Sequence, residues 1–137
     1  MKQAVACELN LVYCIGESEE QRDKEQTEEV LDEQLSALKG VHIDWTKTII
    51  VYEPRWAMGT GTIASADQTQ EACEQIREWV AKNFSQADAD ATRIVYGGSV
   101  TESNCENLVK LPDVDGFLVG SSSTKPTFRT IFEIMHR

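Results

Sequence analysis

The sequence predicts an α/β fold in which four βα units follow one another and form a parallel sheet. Short runs of β-branched and apolar residues recur along the chain, and each is followed by a segment whose apolar residues have helical spacing. This alternation is typical of βαβ units, because parallel strands need a crossover connection that is usually a helix. The predicted strands cover residues 11–15, 48–52, 92–96 and 116–119.

The first unit illustrates the pattern. The residues before position 11 are predicted to be the tail of a preceding helix, so we expect the chain to begin inside a unit. After the first strand, Leu31, Leu35 and Leu38 occur at i, i+4 and i+7 and predict a helix face that packs on the sheet. Most acidic residues of the segment 17–33 lie on the opposite face, which we interpret as solvated surface.

The three later units also contain predicted helices. Ser65 and Gln68 have the spacing of a capping box, which predicts that the second helix begins there. The third helix is predicted within 103–111, and Pro126 is predicted to be the first residue of the last helix. The residues expected to face the sheet are Cys73, Ile76 and Val80 in the second helix, Cys105, Leu108 and Val109 in the third, and Phe128, Ile131, Phe132 and Met135 in the last.

The composition limits the class of protein. Of the 137 residues, 41% are hydrophobic and 26% are charged, so residues 1–137 are expected to form a single domain with one core. The net charge of -10 argues against nucleic acid and anionic membranes as partners. No apolar run approaches the ~20 residues of a membrane helix, and the start does not resemble a signal peptide, so a cytoplasmic location is expected.

The four cysteines, Cys7, Cys14, Cys73 and Cys105, are far apart in the sequence, and no histidine lies at a ligand spacing from them. We therefore expect no metal site, and we interpret the cysteines as reduced and mostly buried thiols. Cys14 on the first strand and Cys73 on a helix face occupy positions typical of small hydrophobic residues.

Glu53 is the strongest candidate for a catalytic residue. It follows the apolar run 48–52, which is typical of a strand buried on both faces, and it therefore lies at the carboxyl end of that strand. In α/β sheets ligands bind at these ends. Pro54 stiffens the start of the next loop, while Gly59 and Gly61 give it conformational freedom. A loop of this composition suits a lid that closes over a ligand.

Two further strand ends carry groups suited to an anion. The turn 96–99, with sequence Tyr-Gly-Gly-Ser, and the turn 120–122, with sequence Gly-Ser-Ser, offer backbone amides that could bind a phosphate or carboxylate. Each feature alone has a simpler explanation, since a glutamate at a strand end is usually solvated or paired. All three lie at the same edge of the sheet, and a base beside an anion site suggests proton abstraction from a small phosphorylated compound.

Four segments together resemble the triosephosphate isomerase family. Residues 52–61 resemble its catalytic glutamate and flexible lid, and residues 96–100 resemble the phosphate-binding turn after its seventh strand. Residues 112–120 resemble its eighth strand and loop, and residues 14–17 resemble the end of its fifth strand. The resemblance implies half of a (βα)8 TIM barrel, comprising strands five to eight. It also implies interconversion of dihydroxyacetone phosphate and glyceraldehyde 3-phosphate, a step of glycolysis and gluconeogenesis, without metal or cofactor.

The resemblance also implies roles for individual residues. Glu53 would transfer the proton, and the substrate phosphate would be held by amides of Gly59, Ser99, Gly120 and Ser121. The implied residues of the lid and its contacts are Pro54, Trp56, Gly61, Ala64, Tyr96 and Glu17. Tyr96, together with Ser99 of the phosphate site, would hydrogen-bond the closed lid near Gly61 and Ala64. Glu17 would contact Trp56.

The chain also departs from the family pattern. A complete barrel has about 250 residues, and the family's Asn-Lys pair at the first strand and its electrophilic histidine at the fourth have no counterpart here. We therefore expect the chain alone to be inactive or nearly so. Arg55 replaces a usually apolar lid residue, and Ser121 replaces a second glycine. If position 121 needs a positive φ, Ser121 would strain the phosphate loop.

A half-barrel would have unpaired strand edges and exposed interior side chains, which favour association with a partner. The expected partners are the N-terminal half of the barrel or a second copy of this chain. Two hypotheses remain open at this point. The chain is either part of an isomerase that needs its other half for turnover, or a non-catalytic half-barrel module that self-associates or pairs with a partner and at most binds phosphate.

Overall fold

The computed structural model describes residues 1–58, 60 and 62–136. These residues form one sheet of four parallel strands, β1 (Leu11–Ile15), β2 (Thr48–Tyr52), β3 (Arg93–Tyr96) and β4 (Gly116–Phe117), in the order β1-β2-β3-β4. The first two strands have the predicted bounds. The third begins one residue later than predicted, and the fourth ends two residues earlier. The predicted α/β fold with four parallel strands is confirmed and is consistent with a TIM barrel fragment.

Seven α-helices lie along the described chain, and most of them connect consecutive strands. They are α1 (Lys2–Ala6), α2 (Glu19–Asp23), α3 (Thr27–Ser36), α4 (Ala66–Asn83), α5 (Gln86–Ala91), α6 (Cys105–Leu108) and α7 (Phe128–Met135). Short 3-10 turns cover Trp45–Lys47, Arg55–Ala57 and Ser121–Thr124. None of the helices in the described ranges combines the length and the apolar character needed to cross a bilayer.

The core lies between one face of the sheet and the helices. The strand register places Ile50 beside Ile94 and Tyr52 beside Tyr96, and all four side chains are fully buried. The predicted inward residues of the first two long helices are also buried, namely Leu31, Leu35 and Leu38 around α3 and Cys73, Ile76 and Val80 in α4. A capping box between Ser65 and Gln68 begins α4, as the sequence predicts.

The other face of the sheet is open at β1. Side chains alternate between the faces of a strand, so Val12 and Cys14 point away from the helices that bury Ile15. Val12 is 56% exposed, and Cys14 is exposed as well. The prediction that Cys14 is a buried core residue is therefore wrong, because it lies on an edge strand whose second face no described element covers. Cys7 is also exposed, whereas Cys73 and Cys105 are buried.

The C-terminal units differ from prediction in three respects. The third predicted helix is only the short α6, in which Cys105 and Leu108 are buried and Val109 just after it is half-buried. The last helix begins at Phe128, so Pro126 precedes it in a turn. Phe128 and Phe132, which were expected to face the sheet, are exposed, whereas Ile131 and Ile134 are the buried residues of α7. The sequence therefore predicted Ile131 correctly as an inward residue but missed Ile134.

Candidate functional site

Glu53 lies immediately after β2, and the sheet fixes its backbone. Its N–H donates a hydrogen bond to the carbonyl of Ile15 over 2.7 Å, which extends the β1–β2 ladder by one residue. Pro54 follows, buried and with φ -62°, and begins the 3-10 turn Arg55–Ala57. The Glu53 side chain is half-buried. The strand therefore presents this carboxylate at the carboxyl edge of the sheet with a defined backbone position.

Gly97 allows the Glu53 side chain to lie against the neighbouring strand end. A Cβ at position 97 would lie 2.7 Å from Glu53 Cγ and 2.6 Å from Val51 Cγ1, which is closer than real contacts permit. The Gly97 N–H donates to the carbonyl of Tyr52 over 2.8 Å, so the turn after β3 is held beside the end of β2. The missing side chain at position 97 is thus what brings the carboxylate and the glycine turn into contact.

A cavity of about 490 Å³ lies at this edge of the sheet. Glu53, Ser99, Gly120 and Ser121, which the sequence analysis selected separately, all line it. The remaining lining residues are Met58, Gly97, Gly98, Val100, Leu118 and Ser122. The ends of β2, β3 and β4 thus place one carboxylate and two turns rich in glycine and serine around a single space large enough for a small metabolite.

The turn after β3 is braced by Asn104. Its Nδ2 donates to the carbonyl of Ser99 over 2.7 Å, and its Oδ1 accepts the N–H of Thr101 over 2.8 Å. The Ser99 carbonyl is therefore directed at a side-chain donor. Because the C=O and N–H of a trans peptide point in opposite directions, the N–H of the next residue is directed away from Asn104. Sequence analysis missed Asn104, although asparagine side chains often hydrogen-bond to the backbone of nearby turns.

Ser121 adopts an ordinary backbone conformation. The non-glycine residues with positive φ in the described ranges are Glu8 and Glu25, so position 121 does not need a positive φ. Ser121 begins the 3-10 turn that ends at Thr124, and Gly120 precedes it with φ -80°. A side chain at position 121 is therefore compatible with the loop geometry, and the condition under which Ser121 would strain the loop is not met.

Glu17 is completely buried and accepts hydrogen bonds from several donors on one oxygen. Its Oε1 accepts from Tyr52 Oη and from Trp56 Nε1, each over 3.0 Å. Arg22 Nη1 lies 3.4 Å from the same oxygen and supplies the opposite charge. Oε2 of Glu17 has no hydrogen-bond partner among the described residues. One carboxylate thus joins the end of β1, the end of β2 and the Trp56 segment.

A second capping box places Arg22 in this cluster. The Ser18 hydroxyl accepts a hydrogen bond from the N–H of Gln21, and the Gln21 side chain accepts one from the N–H of Ser18. Ser18, the residue after Glu17, is therefore the N-cap of α2. The guanidinium carbon of Arg22 lies 5.6 Å from the Trp56 ring centroid, within range of a cation–π contact. Sequence analysis missed Arg22 and Tyr52 as partners of Glu17. The Ser-x-x-Gln spacing at 18–21 was the available signal for α2.

Tyr96 is fully buried, and its hydroxyl lies against Gly98, where a Cβ would approach Tyr96 Oη to 2.2 Å. Burial raises the pKa of Tyr96 to about 12, and the nearby backbone amides of Ala64 and Ser99 act in the opposite direction. Neither amide meets hydrogen-bond geometry, and Tyr96 Oη has no partner among the described residues. Ala64 is buried close by. Gly59 and Gly61, which the sequence analysis expected in a lid, lie outside the described residues.

The two buried tyrosines offer a direct comparison. We expect Tyr52→Phe to lower the free energy of unfolding by about 1.5–3 kcal/mol, because Glu17 loses a donor to its charged oxygen. Burial, followed by the charge of Glu17, raises the pKa of Tyr52, so its hydroxyl remains a donor at neutral pH. Tyr96→Phe is the matched control and is expected to change stability by less than about 0.5 kcal/mol. Urea unfolding measures the free energy of unfolding of both variants. An equal loss in the two variants would contradict a stabilising hydrogen bond from Tyr52 to Glu17.

Cys14 lies next to Glu53 on the open face of the sheet. Partial burial raises the pKa of the Cys14 thiol, and the negative charge of the nearby Glu53 raises it further. Both residues, together with Arg55, line a small cavity of about 140 Å³. In the described part of the chain, no group of three or more His, Cys, Asp or Glu side chains is arranged to hold a metal ion.

Comparisons with known proteins identify similar sequences. The profile of the triosephosphate isomerase family matches residues 1–135. Curated proteins named cytosolic triosephosphate isomerase are 48% identical over 136 residues in Gracilaria gracilis and 48% identical over 120 residues in Oryza sativa subsp. japonica. These alignments cover 97% and 88% of this chain, but only 54% and 47% of the relatives.

A third curated relative extends the comparison to a fungus. The triosephosphate isomerase of Paracoccidioides lutzii is 46% identical over 129 residues, which cover 93% of this chain and 52% of that protein. The chain therefore spans about half the length of the curated relatives it matches.

Proposed function

The chain belongs to the triosephosphate isomerase family, and we propose that it is the C-terminal half of such an isomerase, carrying the catalytic base, the lid and the phosphate loops. The observation that supports this most directly is the shared cavity. Glu53 lines the same space as the turn at Ser99 and the turn at Gly120 and Ser121. A base and two anion-binding turns around one small cavity match the requirements of proton transfer in a phosphorylated triose.

The proposed reaction needs only proton movements. The Glu53 carboxylate removes the proton from the carbon beside the substrate carbonyl, and the electron pair of that C–H bond moves to form an enediolate. Glu53 then returns the proton to the neighbouring carbon, and the hydroxyl proton of the substrate moves from the oxygen that becomes the carbonyl to the oxygen that was the carbonyl, which completes the exchange between ketose and aldose. Backbone amides of Ser99, Gly120 and Ser121 hold the phosphate, so that the reacting carbons lie within reach of the carboxylate. Gly59 belongs to the same proposed set.

The Glu17 cluster is proposed to control the lid. Trp56 lies in the 3-10 turn after Pro54 and donates its indole N–H to Glu17, so this turn is fastened to the end of β1. Movement of the lid would break this hydrogen bond between Trp56 and Glu17. Tyr96, with no partner among the described residues, and the adjacent Ala64 are proposed contacts of the closed lid, together with Gly61.

Turnover is proposed to require a partner. The groups with which the family stabilises the substrate oxygens, an Asn-Lys pair and a histidine, have no counterpart in this chain, and each such group typically contributes ~10²- to 10³-fold to the rate. The strands β1 and β4 each pair on one side only within the described residues, and Val12 is exposed beside Cys14. An N-terminal half of the barrel would pair with both edges and bury this face.

A second candidate function rests on the same edges. Two copies of the chain contain eight parallel strands, so a non-catalytic module could close on itself and at most bind phosphate. Each copy has a net charge of -10, so electrostatic repulsion between two copies acts against the pairing of their strand edges. We propose a cytoplasmic location because two of the relatives are named cytosolic.

A complementation assay tests the proposal. We expect the purified chain to show no measurable isomerase activity, and we expect activity to appear when the N-terminal half of the Gracilaria gracilis relative is added. Activity of the chain alone at the rate of the mixture would contradict the need for a partner. No activity in either sample would favour the non-catalytic module. Light scattering on the isolated chain tests whether the unpaired strand edges cause it to associate. A well-folded monomer at high concentration would contradict this expectation.

A further inference from the structure

One buried hydrogen bond joins the two turns of the proposed phosphate site. Ser122 Oγ donates to the carbonyl of Val100 over 2.9 Å, and Ser122 is only 7% exposed. Val100 belongs to the loop after β3, residues 97–101, and Ser122 belongs to the loop after β4, residues 118–122. We call these the β3 loop and the β4 loop. Both residues line the cavity that contains Glu53.

The sheet itself does not fix the distance between these loops. The last ladder bond between their strands runs from the Leu118 N–H to the carbonyl of Tyr96 over 2.9 Å. Beyond it, the Ser122–Val100 bond is the one hydrogen bond that connects the β3 loop with the β4 loop in the described part of the chain. Asn104 braces the β3 loop from within its own βα unit, through Ser99, and does not reach the β4 loop.

An anion held by both loops requires their amides to lie at a defined separation. If the separation varies, binding must also restrict the loops, and this ordering lowers the affinity. A buried side-chain hydroxyl bonded to a carbonyl of the other loop removes that freedom before the ligand arrives. The same bond occupies the Val100 carbonyl, which would otherwise be free to point its negative end at the ligand.

We propose that Ser122 is a positioning residue that sets the spacing of the β3 and β4 loops for phosphate binding. This inference rests on the proposed function, because it assumes that both loops hold the phosphate. Ser122 acts through its bond to Val100, and its hydroxyl is not itself required to touch the ligand. The sequence analysis selected the turn 120–122 for its backbone amides and gave the Ser122 hydroxyl no role.

The test uses three variants of the chain and inorganic phosphate as the probe. Ser122→Ala removes the hydroxyl, Ser122→Thr retains one, and Ser123→Ala is the matched control, since Ser123 is exposed and its hydroxyl has no hydrogen-bond partner among the described residues. Phosphate is titrated at constant ionic strength, and the amide resonances of both loops are followed by NMR. We expect Ser122→Ala to weaken binding by about 3- to 10-fold, as loss of one buried hydrogen bond implies.

The expected pattern separates positioning from a purely structural role. In the original chain and in Ser123→Ala, amides of both loops should respond to phosphate with one shared Kd. In Ser122→Ala the Kd should rise and the β4-loop amides should respond less, while Ser122→Thr should restore part of the affinity. If Ser122→Ala unfolds at a lower temperature but binds phosphate as tightly as the original chain, the inference is overturned. No binding by the original chain would instead overturn the proposed phosphate site, and this inference with it.

Discussion

Glu53→Gln is expected to lower the isomerase kcat of the chain assembled with an N-terminal half by about 10²- to 10⁴-fold. The glutamine amide has nearly the same shape as the carboxylate, but it cannot accept a proton from carbon. The Glu53 side chain is half-buried at the carboxyl edge of the sheet and lines the shared cavity. The backbone position of residue 53 is set by the hydrogen bond from its N–H to the carbonyl of Ile15, which the substitution leaves intact.

The effect should fall on kcat and not on KM. The proposed phosphate contacts come from the loops that contain Ser99, Gly120 and Ser121, and none of them uses the Glu53 carboxylate. Substrate binding should therefore change little, whereas the proton-transfer step should be lost. The measurement is steady-state kinetics in both directions, with unfolding curves to show that the assembly is unchanged.

Glu106→Gln is a suitable control for Glu53→Gln. Glu106 is exposed on α6 and does not line the cavity, and the substitution is the same chemical change as Glu53→Gln. We expect its kcat to match that of the original protein. Similar activity of the Glu53 and Glu106 variants would mean that Glu53 is not the base, and the shared cavity would then need another explanation.

Gly16→Ala is expected to reduce the free energy of unfolding by about 3 kcal/mol or more. A Cβ at position 16 would lie 1.9 Å from the backbone oxygen of Glu53 and 2.5 Å from its carbonyl carbon. Neither atom belongs to a flexible side chain. Relief of the clash would separate the ends of β1 and β2, which are joined by the 2.7 Å hydrogen bond from the Glu53 N–H to Ile15.

Gly16 is also held from the helix side. Its N–H donates to Gln34 Oε1 over 2.8 Å, and its carbonyl accepts from Gln34 Nε2 over 3.1 Å. The glycine is thus fixed between the Gln34 amide on α3 and the Glu53 backbone, and it cannot move away from the added methyl group. The substitution should therefore destabilise the fold and displace Glu53 together.

Gly116→Ala provides the comparison. A Cβ at position 116 would approach Val95 Cγ1 to 3.3 Å, which a side chain can accommodate by a shift of a few tenths of an ångström. We expect a loss of less than about 1.5 kcal/mol. Urea unfolding of both variants at one protein concentration measures the difference. Equal stability of the two variants would show that the β1 and β2 ends can separate without cost.

Much of the fold was predictable because the relevant signals are local. The bounds of β1 and β2 follow from their β-branched, apolar runs, and the start of α4 follows from the Ser65–Gln68 capping box. Glu53 could be selected for the same reason, since any residue directly after a parallel strand lies at its carboxyl edge. These predictions depend on residues within about one turn or one strand of each other.

The errors concern contacts between distant segments. Cys14 has the composition of a core position, and only the edge location of β1 shows that it is exposed. Glu17 belongs to an acidic run that is otherwise solvated, yet it is completely buried, because Tyr52 and Trp56 arrive from another βα unit. The roles proposed for Glu53 and the phosphate loops remain predictions.

By itself, the sequence determined the order of strands and helices, the cap that begins α4 and the residues placed at the strand ends. Hydrogen bonds and apolar spacing within a single element are sufficient for that. Only the tertiary structure decided that Gly97 lets Glu53 lie against the next turn, that Glu17 is a buried acceptor, and that Ser122 connects two loops. Such contacts depend on strand register and on how the crossovers pack, and both are set by the core as a whole.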